Sequence, residues 1–139
     1  MHTPGGLGQA MRDICDRILN CPLPVIVHIA PSGARAASAG FVIAMAADLV
    51  VMADQTTMGA AHPIDSSGGD LNKTLGEKVT NDMAAFVESL CDRHGRPKQM
   101  AIEAITLSRA YSVQQCLENG LADFSARDEA ELIQSLASR

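Results

Sequence analysis

The chain has 139 residues, 47% of them hydrophobic and 19% charged, which is typical of one globular domain with a sizeable core. Its formal net charge of −5 argues against nucleic acid as a partner. The four cysteines, Cys15, Cys21, Cys91 and Cys116, lack any CxxC or metal-ligand spacing, so we expect buried free thiols and no zinc.

The first half of the chain predicts alternating helices and strands. Leu7, Met11, Ile14 and Ile18 recur at steps of three and four residues, which indicates one face of a helix over residues 7–20. Apolar runs predict a buried strand at 25–30, a buried helix at 41–47, and strands at 49–53 and 57–60. Asp48 interrupts the apolar run from 36 to 53, so we predict a helix and a strand there and not a membrane span.

The second half begins with residues 62–76, which are rich in Gly, Ser and Asp and show no periodicity. Such a stretch predicts a mobile loop of the kind that often serves as a lid. Helices are predicted at 77–93, 97–105 and 128–137. A capping box of Ser112 and Gln115 predicts a further helix that ends at Gly120, and a short strand is predicted at 121–124. Strands alternating with helices predict an α/β domain.

Ser38 is the candidate reactive residue, because it lies between a predicted strand and a predicted helix with only alanine and glycine beside it. Small neighbours leave room for a substrate backbone. The start of a helix supplies free amide N–H groups and the positive end of the dipole, which can stabilise an oxyanion. From these features alone, an N-cap serine without chemistry is the commoner explanation.

A nucleophilic serine needs a base. His62, in the predicted loop, is the histidine best placed for that role, and Lys73 and Lys78 are the lysine candidates. Burial at the start of a helix would disfavour the charged form of Lys78 and so make it a usable general base. Without further information, a solvated helix lysine is the simpler interpretation.

Two blocks carry a resemblance to a known family: TPGG at residues 3–6 and PSGARAASAG at 31–40, with Lys78 forty residues after Ser38. Together they resemble the NfeD family of membrane-bound serine proteases, which belong to the ClpP/crotonase superfamily and are related to signal peptide peptidase A. The resemblance implies a ClpP/crotonase-like fold with a largely parallel sheet flanked by helices. It also implies a Ser-Lys dyad of Ser38 and Lys78, an oxyanion hole formed by the amides of Gly6 and Ala39, and no cofactor.

The same resemblance implies an endopeptidase that cleaves extended hydrophobic peptide segments, with a stomatin-like membrane protein as the candidate partner. Full-length relatives are membrane-associated with an extracytoplasmic protease domain, whereas this chain shows no signal peptide and is expected to be soluble by itself. In the family, strands precede the TPGG block, so we expect a single domain over 1–139 that lacks the first β-unit. A mobile Gly6 amide and reduced activity would follow.

An open sheet edge at residues 25–29 would also follow, and this favours a homodimer or larger homo-oligomer. Two alternatives remain open. One is a catalytically weak module that binds peptides or assembles with partners, and the other is a crotonase-type acyl-CoA enzyme on the same fold. The second would need a catalytic pair of glutamates, and we find none in the expected loops.

Overall fold

A computed structural model of the protein describes residues 1–64, 69 and 72–139. The helices are α1 (Gly8–Leu19), α2 (Ala39–Ala46), α3 (Lys73–His94), α4 (Lys98–Thr106), α5 (Val113–Asn119) and α6 (Glu129–Ala137). The strands are β1 (Ile26–Ile29), β2 (Arg35–Ala37), β3 (Leu49–Met52), β4 (Thr57–Gly59), β5 (Ala110–Ser112) and β6 (Phe124–Ser125).

The described strands form two small sheets. In the first, β3 lies between β1 and β6 and all pairs are parallel; in the second, β4 pairs with β2 in parallel and with β5 in antiparallel orientation. On the side of β1 away from β3, the Met1 carbonyl accepts a hydrogen bond from the amide of Ala30 at 3.2 Å. The α/β architecture with mainly parallel pairing that the sequence predicts is confirmed.

Helix α2 lies at the centre of the core. Its sequence is apolar on every side, which is the pattern of a helix without a solvent-facing stripe, and Phe41 and Met45 are fully buried. Several alanines on the helix give it a narrow profile, so neighbouring elements can pack close to its backbone. Because α2 begins directly after Ser38, this packing fixes the position of the serine.

Most of the predicted elements are present. The capping box is confirmed, since Ser112 accepts from the amide of Gln115 and the Gln115 side chain accepts from the amide of Ser112, and the helix ends at a left-handed Gly120. Strands β2 and β5 were not predicted. None of the helices in the described ranges is both long and apolar enough to cross a membrane.

Helix α3 begins at Lys73, four residues before the predicted start, because the Asn72 side chain accepts a hydrogen bond from the amide of Leu75 at 3.0 Å. Residues 73–76, assigned to the loop by the sequence analysis, are therefore helical. The rest of the predicted lid includes residues 65–68, 70 and 71, which lie outside the described residues.

The cysteine prediction is confirmed for three of the four residues. Cys15, Cys91 and Cys116 are buried free thiols, whereas Cys21 is exposed. Burial raises the pKa of Cys15 and Cys91 to about 11 and that of Cys116 to about 12, so these thiols stay protonated at neutral pH. Within the described ranges, no cluster of three or more His, Cys, Asp or Glu residues could hold a metal ion.

Candidate active site

Ser38 occupies a strained turn between strand β2 and helix α2. Its φ of 56° and ψ of −120° lie where residues with a Cβ atom are rarely found, a conformation that costs about 1–3 kcal/mol and is concentrated at functional sites. The Ser38 amide donates to the Gly59 carbonyl at 2.9 Å, which holds the turn in place. Ser38 is at the N-cap position of α2, but its side chain makes no cap hydrogen bond, so its hydroxyl is not used to cap the helix.

The loop at residues 3–6 packs directly against this turn. A Cβ atom on Gly5, where φ is +138°, would lie 2.9 Å from the Cβ atom of Ser38 and 3.3 Å from its hydroxyl oxygen. A Cβ atom on Gly40 would lie 2.4 Å from the Thr3 methyl carbon. Both positions therefore require glycine, and the close approach brings the loop backbone next to the serine hydroxyl.

Thr3 attaches this loop to strand β2. Its amide donates to the Arg35 carbonyl at 2.8 Å, and its carbonyl accepts from the Ala37 amide at 3.1 Å. The Thr3 hydroxyl also donates to the Gly5 carbonyl at 3.1 Å and accepts from the Gly5 amide at 3.2 Å. The loop is thus held by the backbone of the strand that carries Ser38.

A cavity of about 520 Å³ opens beside Ser38. Its volume falls in the range of ligand sites, and its walls are mainly apolar. The apolar side chains that face it come from the start of α1, from α2, from the segment before residue 65 and from α3: Leu7, Met11, Val42, Ile64, Val79 and Met83. Leu7 and Met11 belong to the apolar helix face that the sequence predicts, and periodicity alone does not separate a face that packs in the core from one that lines a cavity.

Within the described ranges, two residues that line the same cavity have free backbone amides. Gly6 and Ala39 both line it beside Ser38, and among the described residues neither amide has a hydrogen-bond acceptor. Ala39 is the first residue of α2, so no carbonyl within the helix can accept from its N–H group. These are the two donors that the resemblance implied, and the positive end of α2 adds to their attraction for an anion.

Lys78 has a different environment from the one expected. It lies in the second turn of α3 rather than the first, and it is exposed. Among the described residues that line the cavity, α3 contributes Val79 and Met83 but not Lys78. Lys78 is therefore next in sequence to a wall residue of the cavity, but it is exposed and is not itself a wall residue in the described part of the chain.

The other candidate bases lie on a second, neighbouring cavity of about 440 Å³. Lys73 and His62 line it together with Pro63, which also lines the first cavity. One nitrogen of His62, Nδ1, is 3.0 Å from the Ile105 carbonyl oxygen. His62 is not among the residues that line the Ser38 cavity in the described part of the chain.

Sequence comparison identifies a family and two relatives. The sequence profile of the NfeD1b N-terminal domain matches residues 1–112. The membrane-bound protease PH1510 of Pyrococcus horikoshii is 38% identical over 136 residues, which cover 96% of this chain and 30% of that protein. The membrane protein NfeD1b of Bacillus subtilis is 40% identical over 102 residues, which cover 73% of this chain and 22% of that protein. The chain thus spans less than a third of either relative.

Structure comparison gives matches to the 1510-N membrane-bound stomatin-specific protease. A lysine-to-alanine mutant in complex with a substrate peptide matches with a TM-score of 0.87 and 35% identity, covering 96% of this chain and 62% of that one. A serine-to-alanine mutant matches with a TM-score of 0.86. The mutated serine and lysine are one residue farther apart in sequence than Ser38 and Lys78.

The wider fold family is also confirmed. ClpP1 of Listeria monocytogenes has a TM-score of 0.69 at 18% identity, and an enoyl-CoA hydratase of Thermoplasma volcanium has a TM-score of 0.63 at 18% identity. At these identities the likeness concerns the fold alone. The predicted ClpP/crotonase-like fold is therefore correct.

Proposed function

We propose that this chain, which belongs to the NfeD1b N-terminal domain family, is the catalytic part of a serine endopeptidase. The observation that carries the proposal is the strained turn at Ser38, whose hydroxyl is not used by the helix and lies beside two free amides and an apolar cavity. The archaeal relative that is named a protease supports the same activity class.

In the proposed reaction, the Ser38 hydroxyl oxygen attacks the carbonyl carbon of the scissile peptide bond. Lys78 takes the hydroxyl proton and delivers it to the leaving amine, as in other Ser-Lys variants of the triad. The amides of Gly6 and Ala39 hold the oxyanion of the tetrahedral intermediate. Water then hydrolyses the acyl-serine, with Lys78 again acting as the base.

The exposed position of Lys78 sets a condition on this mechanism. Its flexible side chain has to reach across Val79 to the serine, and bound peptide would cover the ammonium group and disfavour its charge. Counted without a gap, the position of the archaeal lysine corresponds to Val79. The proposal therefore requires that the segment between the serine and the lysine is one residue shorter in this chain than in the archaeal protein.

The apolar cavity supports an extended hydrophobic peptide as the substrate. Because the archaeal structure is that of a stomatin-specific protease, we propose a stomatin-like membrane protein as the partner and a membrane-associated setting for the complete protein. The chemistry proposed for Ser38 needs no cofactor.

A catalytically weak peptide-binding module is the second candidate. Its support is that Lys78 is exposed and does not line the described part of the Ser38 cavity. Such a module would keep the groove and bind apolar peptides without cleaving them.

Cleavage of an apolar peptide by single and double variants tests the proposal. Ser38→Ala and Lys78→Ala should each abolish cleavage, and the double variant should be little worse than either, because residues that act as one unit give non-additive losses. Lys98→Ala, on helix α4, is the control for loss of a surface lysine. Loss of cleavage in Lys73→Ala with full cleavage in Lys78→Ala would move the base to Lys73, and peptide binding without cleavage in the native chain would favour the binding module.

We also propose that the chain self-associates through the outer edge of β1, where the backbone of Met1 hydrogen-bonds His28 and Ala30 but no named strand pairs within the described residues. Light scattering at several protein concentrations should then show a homodimer or a larger homo-oligomer. A monomer at every concentration would contradict this.

A further inference from the structure

Arg12 connects α1 and α3, two helices that both contribute lining residues to the Ser38 cavity. It lies on α1, one residue after the wall residue Met11, and its Nη2 atom donates to the Asp82 carboxylate of α3 at 2.6 Å. Its guanidinium carbon also lies 3.8 Å from the centre of the Phe86 ring, one turn farther along α3. Two contacts to successive turns hold the guanidinium in one orientation.

Asp82 has a second potential partner, because it follows Lys78 by four residues on α3. Side chains at this spacing lie next to each other on a helix surface, so an ammonium at Lys78 is within reach of the Asp82 carboxylate. In the part of the chain that the structure describes, Lys78 makes no ion pair, and the carboxylate is taken by Arg12 instead. Arg12 and Lys78 are therefore competitors for one carboxylate.

Charge near Lys78 decides how readily that lysine gives up its proton. The charged groups closest to it along its own helix are Glu77 and Asp82. Asp82 in turn contacts Arg12 of α1, and the next residue, Asp13, accepts a hydrogen bond from Gln9. A carboxylate in direct contact with the lysine would favour the protonated ammonium.

We propose that Arg12 is a positioning residue that holds the Asp82 carboxylate away from Lys78 and so keeps the lysine available as a base. The inference rests on the proposed function of Lys78. The same contacts fix α1 against α3, but the two roles are separable in the Arg12→Ala background, where the ion pair between the helices is already broken and a further loss of the Asp82 charge changes only the electrostatics around Lys78.

The test is the pH dependence of the rate at which a fluorophosphonate probe labels Ser38. In Arg12→Ala the freed carboxylate pairs with Lys78, so the rate at neutral pH should fall about twofold and the profile should move about 0.3 pH unit upward, the size expected for a helix pair at this spacing. Arg12→Lys, which keeps the charge, should behave like the native chain. Adding Asp82→Asn to Arg12→Ala should restore the native profile although the contact between the helices stays broken.

Two results overturn the inference alone: an unchanged profile in Arg12→Ala, or an impairment that persists in Arg12→Ala with Asp82→Asn. In both cases the native chain is labelled at Ser38 and Lys78→Ala is not, so the proposed function stands. If the native chain is not labelled at all, the proposed function is wrong and the role of Arg12 is overturned with it. Thermal unfolding of each variant shows whether a loss comes from unfolding instead.

Discussion

Replacing Gly40 by alanine tests whether close packing of the loop at residues 3–6 controls the site. An alanine Cβ would lie 2.4 Å from the Thr3 methyl carbon, more than 1 Å inside the usual carbon–carbon contact of about 3.5–4.0 Å. The branched threonine side chain is stiff, so the loop has to move away. Overpacking of this kind costs about 1–3 kcal/mol. Alanine regains about 1 kcal/mol over glycine inside a helix, so we expect a net destabilisation of about 1 kcal/mol.

Thr3→Ser supplies the matched background. Serine lacks the methyl carbon but keeps the hydroxyl that bonds Gly5. In this background Gly40→Ala should be neutral or stabilising by up to about 1 kcal/mol, a coupling of about 1–3 kcal/mol between the two positions. Urea denaturation measures the free energies of unfolding, and peptide cleavage should fall in Gly40→Ala and recover in the double variant. Equal effects of Gly40→Ala in both backgrounds would refute the packing argument.

Three further predictions concern buried groups. A thiol reagent at neutral pH should modify the exposed Cys21 quickly in the folded chain and the three buried thiols only after unfolding. Burial raises the pKa values of those three thiols and keeps the reagent from reaching them. Fast reaction of a second thiol in the folded chain would contradict this. The buried guanidinium of Arg96 donates to the Met45 carbonyl at 3.3 Å and forms an ion pair with Asp123. Arg96→Met removes these contacts and should lower the free energy of unfolding by about 2–3 kcal/mol. As a control, Arg109→Met removes an exposed ion pair and should change the free energy of unfolding by less than about 1 kcal/mol. Burial lowers the pKa of His94, so the folded chain favours its neutral form. The free energy of unfolding should therefore fall as the pH drops below about 6.5. In urea titrations at several pH values, His94→Gln should make the free energy of unfolding less dependent on pH.

Local signals predicted many of the elements. The capping box at Ser112, the left-handed Gly120 and the apolar run of α2 depend on neighbouring residues in the sequence, and all three are present. Strand β2 could not be predicted in this way, because its residues Arg35–Ala37 have little strand propensity. It exists because β4 pairs along one side and Thr3 along the other, contacts between residues distant in sequence.

The candidate site divides in the same way. The start of a buried helix directly after Ser38 could be predicted from the residues, whereas strand β2 directly before it could not, and the two amide donors are implied by the resemblance alone. The environment of Lys78 could not, because Gly76 suggested a loop while the Asn72 cap started the helix earlier and moved Lys78 into the second turn. Residues of both α1 and α3 line the cavity, and these helices are far apart in sequence, so the cavity is a property of the tertiary fold.

Mass spectrometry after treatment with a fluorophosphonate probe tests the central claim most directly, since only an activated serine forms the adduct. The account predicts one adduct on the native chain, mapped to the peptide that contains Ser38, and no adduct on Ser38→Ala or Lys78→Ala, both of which should remain folded. An unlabelled native chain, or equal labelling of native and Lys78→Ala chains, would contradict it.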